Sequence, residues 1–189
     1  MTLTVLIGGA RSGKSALAVR LASAGTSAIT LLATGQPLDD EMAARIAAHR
    51  SERPSSWATV EEPLDLEAAL GATADNGTVV VDCLTLWVAN VIGAGRTDAE
   101  IVGSARKVAA RAGERPGKVI VVSNEVGAGI VPGDPLSRRY RDLLGRVNAV
   151  FAEQAADAFL VVAGRVLPLM PAGPTSPVIM QAGAKAPGL

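Results

Sequence analysis

One segment near the start of the chain constrains the fold more than any other. The apolar run Leu3 to Ile7 leads directly into the pattern G-x-x-x-x-G-K-[ST], formed by Gly8, Gly9, Ala10, Arg11, Ser12, Gly13, Lys14 and Ser15. Between a strand and a helix, this pattern predicts a loop whose backbone N–H groups surround phosphate oxygens. Lys14 is then expected to contact the outer phosphates and Ser15 to bind Mg²⁺. The alternative is a glycine-rich turn that binds no ligand.

Apolar runs and alanine-rich stretches alternate along the rest of the chain. Runs rich in β-branched residues or leucine predict buried strands at Leu3 to Ile7, Ala28 to Ala33, Thr78 to Val81, Lys118 to Val122 and Phe159 to Val162. Stretches of helical length are Lys14 to Ala22, Asp39 to about Glu52, Leu64 to Leu70, Leu84 to Ile92, Asp98 to Arg111 and Leu136 to Ala156. Trp57 to Glu61 is expected to add a short strand. The alternation predicts an α/β fold, with a predominantly parallel sheet and helices on both faces.

Charge and composition argue against several classes of protein. The 189 residues include 18 basic and 18 acidic side chains, and only 3% are aromatic, which argues against nucleic-acid binding. No apolar stretch reaches the roughly 18 to 20 residues of a membrane-spanning helix. Cys83 is the only cysteine, so an intrachain disulfide framework is excluded. The first residues lack the features of a signal peptide, and we expect a cytoplasmic protein.

The chain is expected to form one domain. We predict a P-loop nucleotide-binding catalytic domain over residues 1–169, because no linker divides this region. Residues 170–189 are rich in proline, alanine and glycine and are predicted to be a tail that is loose or packed on a neighbour.

A carboxylate follows the strand predicted at Thr78 to Val81. Asp82 stands at the carboxyl end of that strand, where open parallel sheets bind their ligands. It is therefore a candidate partner of Mg²⁺, either directly or through water. Because aspartate also favours helix N-caps, capping the helix near Leu84 is the alternative, and the two roles are compatible.

The only histidine, His49, lies in a segment that opens with acids and closes with bases, as the helix dipole favours. Helical spacing places Arg45, His49 and Arg53 on one side, whereas Met42 and Ile46 are expected to face the core. A neutral imidazole is a nucleophile, and arginines beside it can neutralise a phosphate under attack. A solvated or helix-capping histidine accounts for the same residues equally well.

A glycine-rich segment, Ser123 to Pro132, follows the strand predicted at Lys118 to Val122. Asn124 and Glu125 are placed to contact substrate hydroxyls or a water molecule, although both also favour turns. The next helix carries Arg138, Arg139, Arg141 and Arg146, and at least half of these are expected to form a solvated face.

Several motifs stand in a fixed order over about Leu3 to Leu167: GGARSGKS, ATG at Ala33 to Gly35, DDEMAARIAAHRSERP, the Trp57 to Glu61 stretch, VVVDCLTLW, SNEVGAGIVP, and the segment Arg138 to Asp157. Together they resemble the bifunctional adenosylcobinamide kinase and adenosylcobinamide-phosphate guanylyltransferase family. The resemblance implies the fold of a RecA-like P-loop NTPase. The tail beyond Leu169 matches no part of the family pattern.

The resemblance also implies a chemistry. Such enzymes phosphorylate a hydroxyl of adenosylcobinamide with ATP or GTP, and then transfer GMP from GTP to that phosphate through a GMP-histidine. The matching histidine is His49, and the implied guanine nucleotide site comprises, besides the phosphate loop, Ala33, Thr34, Gly35, Arg50, Ser51, Glu52, Arg53, Glu61 and Asp82. A homo-oligomer, specifically a trimer, is expected.

Two other functions stay open. One is a P-loop kinase that phosphorylates a small molecule and in which His49 is structural; its activity would survive replacement of that histidine. The other is a nucleotide-regulated binding module that turns over no substrate. Such a module would bind GTP and release no pyrophosphate.

Overall fold

A computed structural model describes residues 2–51 and 53–171. The strands are β1 (Leu3–Gly8), β2 (Ile29–Ala33), β3 (Ala58–Glu61), β4 (Thr78–Asp82), β5 (Val119–Asn124), β6 (Asp157–Val162) and β7 (Arg165–Pro168). The helices are α1 (Lys14–Ser23), α2 (Asp40–Ser51), α3 (Leu66–Ala72), α4 (Leu84–Gly93), α5 (Asp98–Glu114) and α6 (Pro135–Gln154). The predicted strands and helices are confirmed, with ends that differ by one to three residues, and β7 is additional.

The strands form one sheet in the order β3-β2-β4-β5-β1-β6-β7. β1 to β6 are parallel, and β7 runs antiparallel to β6 at the edge. The strand that leads into the phosphate loop, β1, therefore lies between β5 and β6. Such a sheet collects the loops that follow its strands along one edge, where α/β proteins bind ligands.

Apolar side chains on the two sides of the sheet form two cores. In β1, Leu3, Val5 and Ile7 belong to one core and Leu6 to the other, as a period of two requires. Helices α3 to α6 supply the larger core, whereas α1 covers the opposite side through Ala18 and Ala22. The prediction of helices on both faces is confirmed.

Helix α2 contributes no buried residue to either core. The expectation that Met42 and Ile46 face the core is wrong: both are half-buried and line a cavity at the carboxyl edge of the sheet. Their apolar spacing reflects contact with this cavity and with the loop at Gly35, where Ile46 packs.

The predicted C-terminal tail falls mostly on residues that the structure does not describe. The division at residue 169 stays a prediction, because residues 172–189 of the proposed tail lie outside the described part of the chain. Within that part, no helix combines the length and apolar character needed to cross a lipid bilayer.

Candidate active site

Five strand ends meet at the carboxyl edge of the sheet. Register pairs Gly8 with Asn124, Asp82 with Ala33, and Ala33 with Glu61. Since Asp82 also pairs with Val122, two residues before Asn124, all these residues share the face that α1 covers. At this edge lies a cavity of about 250 Å³, lined by Ala10, Arg11, Lys14, Ser15, Leu31, Ala33, Gly35, Met42, Arg45, Ile46, His49, Arg50, Arg53, Thr59, Glu61, Asp82, Cys83, Thr85, Leu86, Val122 and Asn124.

The phosphate loop closes one side of this cavity. Gly13, with φ of 101°, is the N-cap of α1, and only glycine adopts this conformation without strain. Lys14 is buried and its Nζ donates hydrogen bonds to the carbonyl oxygens of Gly8 at 2.9 Å and Gly9 at 2.6 Å. Burial lowers the pKa of Lys14, and the nearby Asp82 carboxylate opposes this shift.

Half of the predicted loop residues reach the cavity directly. Ala10, Arg11, Lys14 and Ser15 line it, whereas Gly8, Gly9, Ser12 and Gly13 build the loop behind them. Gly8 has no room for a side chain, because a Cβ there would lie 2.2 Å from the carbonyl oxygen of Val161. The close packing of the loop against β6 thus requires glycine at this position.

Asp82 ends β4 and faces the cavity with a side chain that is 21% exposed. Burial raises the pKa of its carboxyl, while His49, Arg53 and Lys14 hold it down. The helix-capping alternative is wrong, because the N-cap of α4 is Cys83 and no side chain caps that helix. The Asp82 carboxylate therefore faces the cavity and does not cap α4.

His49 enters the cavity from α2. Its Nδ1 lies 4.0 Å from Oδ2 of Asp82, and its side chain is 48% exposed. Arg53 donates from Nε to the carbonyl oxygen of His49 at 2.7 Å. Arg45, His49 and Arg53 all line the cavity, as their helical spacing predicts. The imidazole thus shares one cavity with the lysine and serine of the phosphate loop.

The remaining residues of the implied nucleotide site fall into four groups. Ala33, Gly35, Arg50, Arg53 and Glu61 line the cavity, and Arg50 Nη2 lies 3.2 Å from Glu61 Oε1. Thr34 is fully buried and donates to the carbonyl oxygen of Cys83 at 2.7 Å, so its hydroxyl braces the segment after Asp82. Ser51 donates to the carbonyl oxygen of Ala48 outside the cavity. Glu52 lies outside the described residues.

The segment Ser123 to Pro132, which begins within β5, contributes one residue to the cavity. Asn124 lines it, whereas Glu125 is exposed and accepts a hydrogen bond from the backbone N–H of Gly127. The arginines of α6 do not line the cavity; for example, Arg139 pairs with Asp98 at 2.8 Å. Of these four arginines only Arg146 is exposed, whereas Arg138, Arg139 and Arg141 are half-buried and hydrogen-bonded, so the expectation that at least half of them form a solvated face is wrong.

Sequence reasoning missed the apolar wall of the cavity. Leu86 and Ile46 approach Gly35, and Leu31 and Val122 extend the wall along the sheet. Their pattern is the same as that of core residues, so only their position at the sheet edge distinguishes them. The glycine at position 35 indicates close packing of this wall, because a Cβ at Gly35 would lie 3.3 Å from Leu86 Cδ1.

The donor groups fit a Mg²⁺ ion that is shared with a nucleotide. Ser15 and Asp82 supply a hydroxyl and a carboxylate to the same cavity. Mg²⁺ is usually bound by one or two carboxylates together with substrate phosphates and water. The described part of the chain contains no cluster of three or more His, Cys, Asp or Glu side chains that could hold a metal alone.

Fold and site together define a P-loop nucleotide-binding α/β protein. Two solved structures share the fold. One is a prototypical ATPase from the type III secretion system of pathogenic bacteria (TM-score 0.52, 13% identity, covering 84% of this chain and 50% of that one). The other is the assembled ATPase EscN from the enteropathogenic E. coli type III secretion system (TM-score 0.56, 13% identity, covering 86% and 43%). This chain spans half their length or less, and at such identity the likeness shows the fold alone.

The particular family follows from sequence comparison. Residues 4–169 match the family described as cobinamide kinase / cobinamide phosphate guanyltransferase. The bifunctional adenosylcobalamin biosynthesis protein CobP of Pseudomonas aeruginosa is 45% identical, over 87% of this chain and 95% of that protein. CobU of Escherichia coli K12, described in the same words, is 39% identical over 86% and 96%. The chain belongs to this family of kinase and guanylyltransferase enzymes, which confirms the resemblance inferred from the motifs.

Proposed function

We propose that the enzyme phosphorylates adenosylcobinamide with ATP or GTP and then transfers GMP from GTP to the new phosphate, by way of a GMP adduct on His49. The observation that carries the proposal is the shared cavity: His49, the chain's only histidine, faces the same space as Lys14 and Ser15. A nucleotide whose phosphates bind the loop would therefore lie in the same cavity as a candidate nucleophile.

The first reaction forms a phosphate ester. The acceptor hydroxyl attacks the γ-phosphorus, the bond to the β,γ-bridging oxygen breaks, and the hydroxyl proton is released. Lys14 and the N–H groups at the start of α1 bind the phosphate oxygens and balance their charge. Ser15 and Asp82 would hold Mg²⁺, which supplies charge stabilisation to the phosphates when bound.

The second reaction uses the imidazole. Because Nδ1 of His49 faces Asp82, we assign the attack on the α-phosphorus of GTP to Nε2. The bond from the α-phosphorus to the bridging oxygen breaks and pyrophosphate leaves. A phosphate oxygen of the acceptor then displaces His49, which releases adenosylcobinamide-GDP and restores the free imidazole.

Arginines and a carboxylate complete the proposed nucleotide site. Arg45 and Arg53 line the cavity beside His49 and can neutralise negative charge that develops on the attacked phosphate. Glu61 is 65% exposed, and its carboxylate can accept hydrogen bonds from the N–H groups of guanine when its contact with Arg50 rearranges. Ala33 and Gly35 leave room for the nucleoside along the edge of β2.

We also propose a homo-oligomer, a trimer in keeping with the family resemblance, that works in the cytoplasm. The segment after β5 and the first turn of α6 support an interface, because Ile130 is 97% exposed and Val131 and Leu136 are each 61% exposed. Such side chains are usually covered when they cluster. Sedimentation of the full chain measures this state directly.

The deciding experiment incubates the full chain with α-labelled GTP and Mg²⁺ in the absence of a corrinoid. We expect label to remain on the denatured protein in an acid-labile, alkali-stable bond, and to be absent from His49→Ala. His49→Ala should keep the phosphorylation of adenosylcobinamide, because that step relies on phosphate positioning. GTP binding without an adduct in the wild type would favour the single-activity kinase, and a protein with neither reaction would favour the binding module.

A further inference from the structure

The residues that end the parallel strands are ordered across the cavity. From one side to the other the order is Glu61, Ala33, Asp82, Asn124 and Gly8, because the strands stand in the order β3-β2-β4-β5-β1. The phosphate loop follows Gly8. His49 approaches Asp82 from α2, which follows β2 and thus enters from the other side. The loop and the imidazole therefore approach the cavity from opposite sides.

Asn124 occupies the position next to the loop. It pairs with Gly8 in the β1–β5 register, and neighbouring strands are about 4.8 Å apart. The Nζ atom of Lys14 donates to the carbonyl oxygen of that same Gly8 at 2.9 Å. Asn124 is therefore a near neighbour of the lysine that contacts the outer phosphates of a bound nucleotide.

The backbone of Asn124 is held firmly from both sides. Its N–H donates to Thr85 Oγ1 at 2.9 Å, and its carbonyl accepts from Asn148 Nδ2 at 3.0 Å. Asn148 is buried and its Oδ1 accepts from Ser123 Oγ at 2.6 Å. Glu125 donates its backbone N–H to Gly8 at 3.1 Å. These bonds fix the position from which the Asn124 side chain projects.

The side-chain amide itself is available to a ligand. Asn124 lines the cavity, and its amide makes no hydrogen bond to any other residue in the described part of the chain. A neutral amide can donate two hydrogen bonds without adding charge. Preorganised donors of this kind stabilise charge that develops during a transfer reaction.

We infer that Asn124 binds the transferring γ-phosphoryl group in the phosphorylation step and plays no part in the transfer of GMP to His49. This inference rests on the proposed function. As the acceptor hydroxyl forms its bond to the γ-phosphorus and the bond to the bridging oxygen breaks, the amide donates to a γ-phosphoryl oxygen. The attack by His49 takes place at the α-phosphorus, on the Asp82 side of the cavity.

The test compares both reactions in Asn124→Ala. We expect the kcat of adenosylcobinamide phosphorylation with ATP to fall about 10²-fold, the usual cost of removing one such donor, with a smaller change in the KM for ATP. The amount of labelled GMP on His49 and its rate of formation should stay within twofold. Asn76→Ala is the matched control, the same substitution at an exposed asparagine outside the cavity, and both its rates should equal those of the wild type.

Each other outcome contradicts the inference. Equal losses in both reactions would make Asn124 a general nucleotide-binding or structural residue, and unchanged phosphorylation would remove it from the site. If Asn124→Ala fails to fold, the nearly isosteric Asn124→Asp replaces it, because a carboxylate repels the γ-phosphoryl group and should give at least the same selective loss. Failure of the proposed function is a separate result, since the wild type itself would then lack the adduct or the phosphorylation.

Discussion

The imidazole of His49 and the carboxylate of Asp82 face each other across the cavity, with Nδ1 and Oδ2 4.0 Å apart. This separation is too long for a hydrogen bond but close enough for their charges to interact. Burial raises the pKa of the Asp82 carboxyl, and the charges of His49, Arg53 and Lys14 oppose the shift. The Asp82 carboxyl therefore lies at a position where burial disfavours its ionised form.

Replacing this carboxylate should separate stability from activity. Because the pKa of Asp82 in the folded state lies above its ordinary value of 3.8, ionisation lowers the free energy of unfolding as the pH rises through the raised pKa. Asp82→Asn should therefore be at least as stable as the wild type at neutral pH. The difference should vanish below pH 3.8, where the carboxyl is protonated in both states.

Chemical denaturation across this pH range measures the effect on stability. Phosphorylation by Asp82→Asn should be at least about tenfold slower, because the proposed Mg²⁺ site loses its carboxylate. Asp157→Asn, at an exposed position on β6, is the control and should change neither quantity. An Asp82→Asn variant that is less stable at neutral pH would contradict the effect of burial on this carboxyl.

Glu61→Gln should weaken nucleotide binding and leave stability nearly unchanged. Its ion pair with Arg50 is exposed, with 65% of each side chain accessible, so its loss should alter the free energy of unfolding by less than about 0.5 kcal/mol. A hydrogen bond to a charged group is worth about 1.5–3 kcal/mol, so the GTP concentration for half-maximal adduct formation should rise at least about tenfold. Glu153→Gln, at an exposed position on α6 outside the cavity, serves as the control and should not alter it.

The two first glycines of the phosphate loop should differ in their tolerance of a methyl group. Gly8→Ala places a Cβ 2.2 Å from the backbone carbonyl oxygen of Val161, and β6 would have to move. Overpacking of this kind costs about 1–3 kcal/mol. Gly9→Ala meets no atom within 4 Å and should be close to the wild type in urea denaturation. Equal stabilities of the two variants would be inconsistent with close packing of β1 against β6.

Arg115 should be needed for folding although it lies outside the cavity. Its side chain is 3% exposed and donates to the carbonyl oxygens of Leu70 at 3.0 Å and Ala74 at 2.6 Å. Arg115→Ala removes these two charge-assisted hydrogen bonds and the packing of a buried side chain, and should lower the free energy of unfolding by about 2–4 kcal/mol. Arg106→Ala, at an exposed site on α5, should change it by less than about 0.5 kcal/mol. A similar melting temperature for both variants would refute the role of Arg115.

Local sequence patterns were sufficient for most of the fold. Apolar runs predicted five of the seven described strands, because burial on both faces imposes a continuous apolar run. The stretch Trp57 to Glu61 predicted a sixth, β3, although all four of its residues are exposed. The missing strand, Arg165–Pro168, is short, exposed and ends in proline, so it carries no such run. Helix α2 was predicted as an element, but its apolar residues line the cavity and contribute to neither core.

The site was predictable in its parts and unpredictable in its arrangement. The sequence by itself determined the phosphate loop, because Gly13 and Lys14 act through local backbone geometry, and it singled out His49 and Asp82 by residue type and position. Only the tertiary structure decided that Asn124 lies beside the loop and that His49 faces Asp82. It also decided that the Thr34 hydroxyl donates a hydrogen bond to the carbonyl oxygen of Cys83. Strand order and contacts between distant residues depend on which surfaces pack together. Many different arrangements of the same elements produce the same local pattern of burial, so this pattern alone does not select one of them.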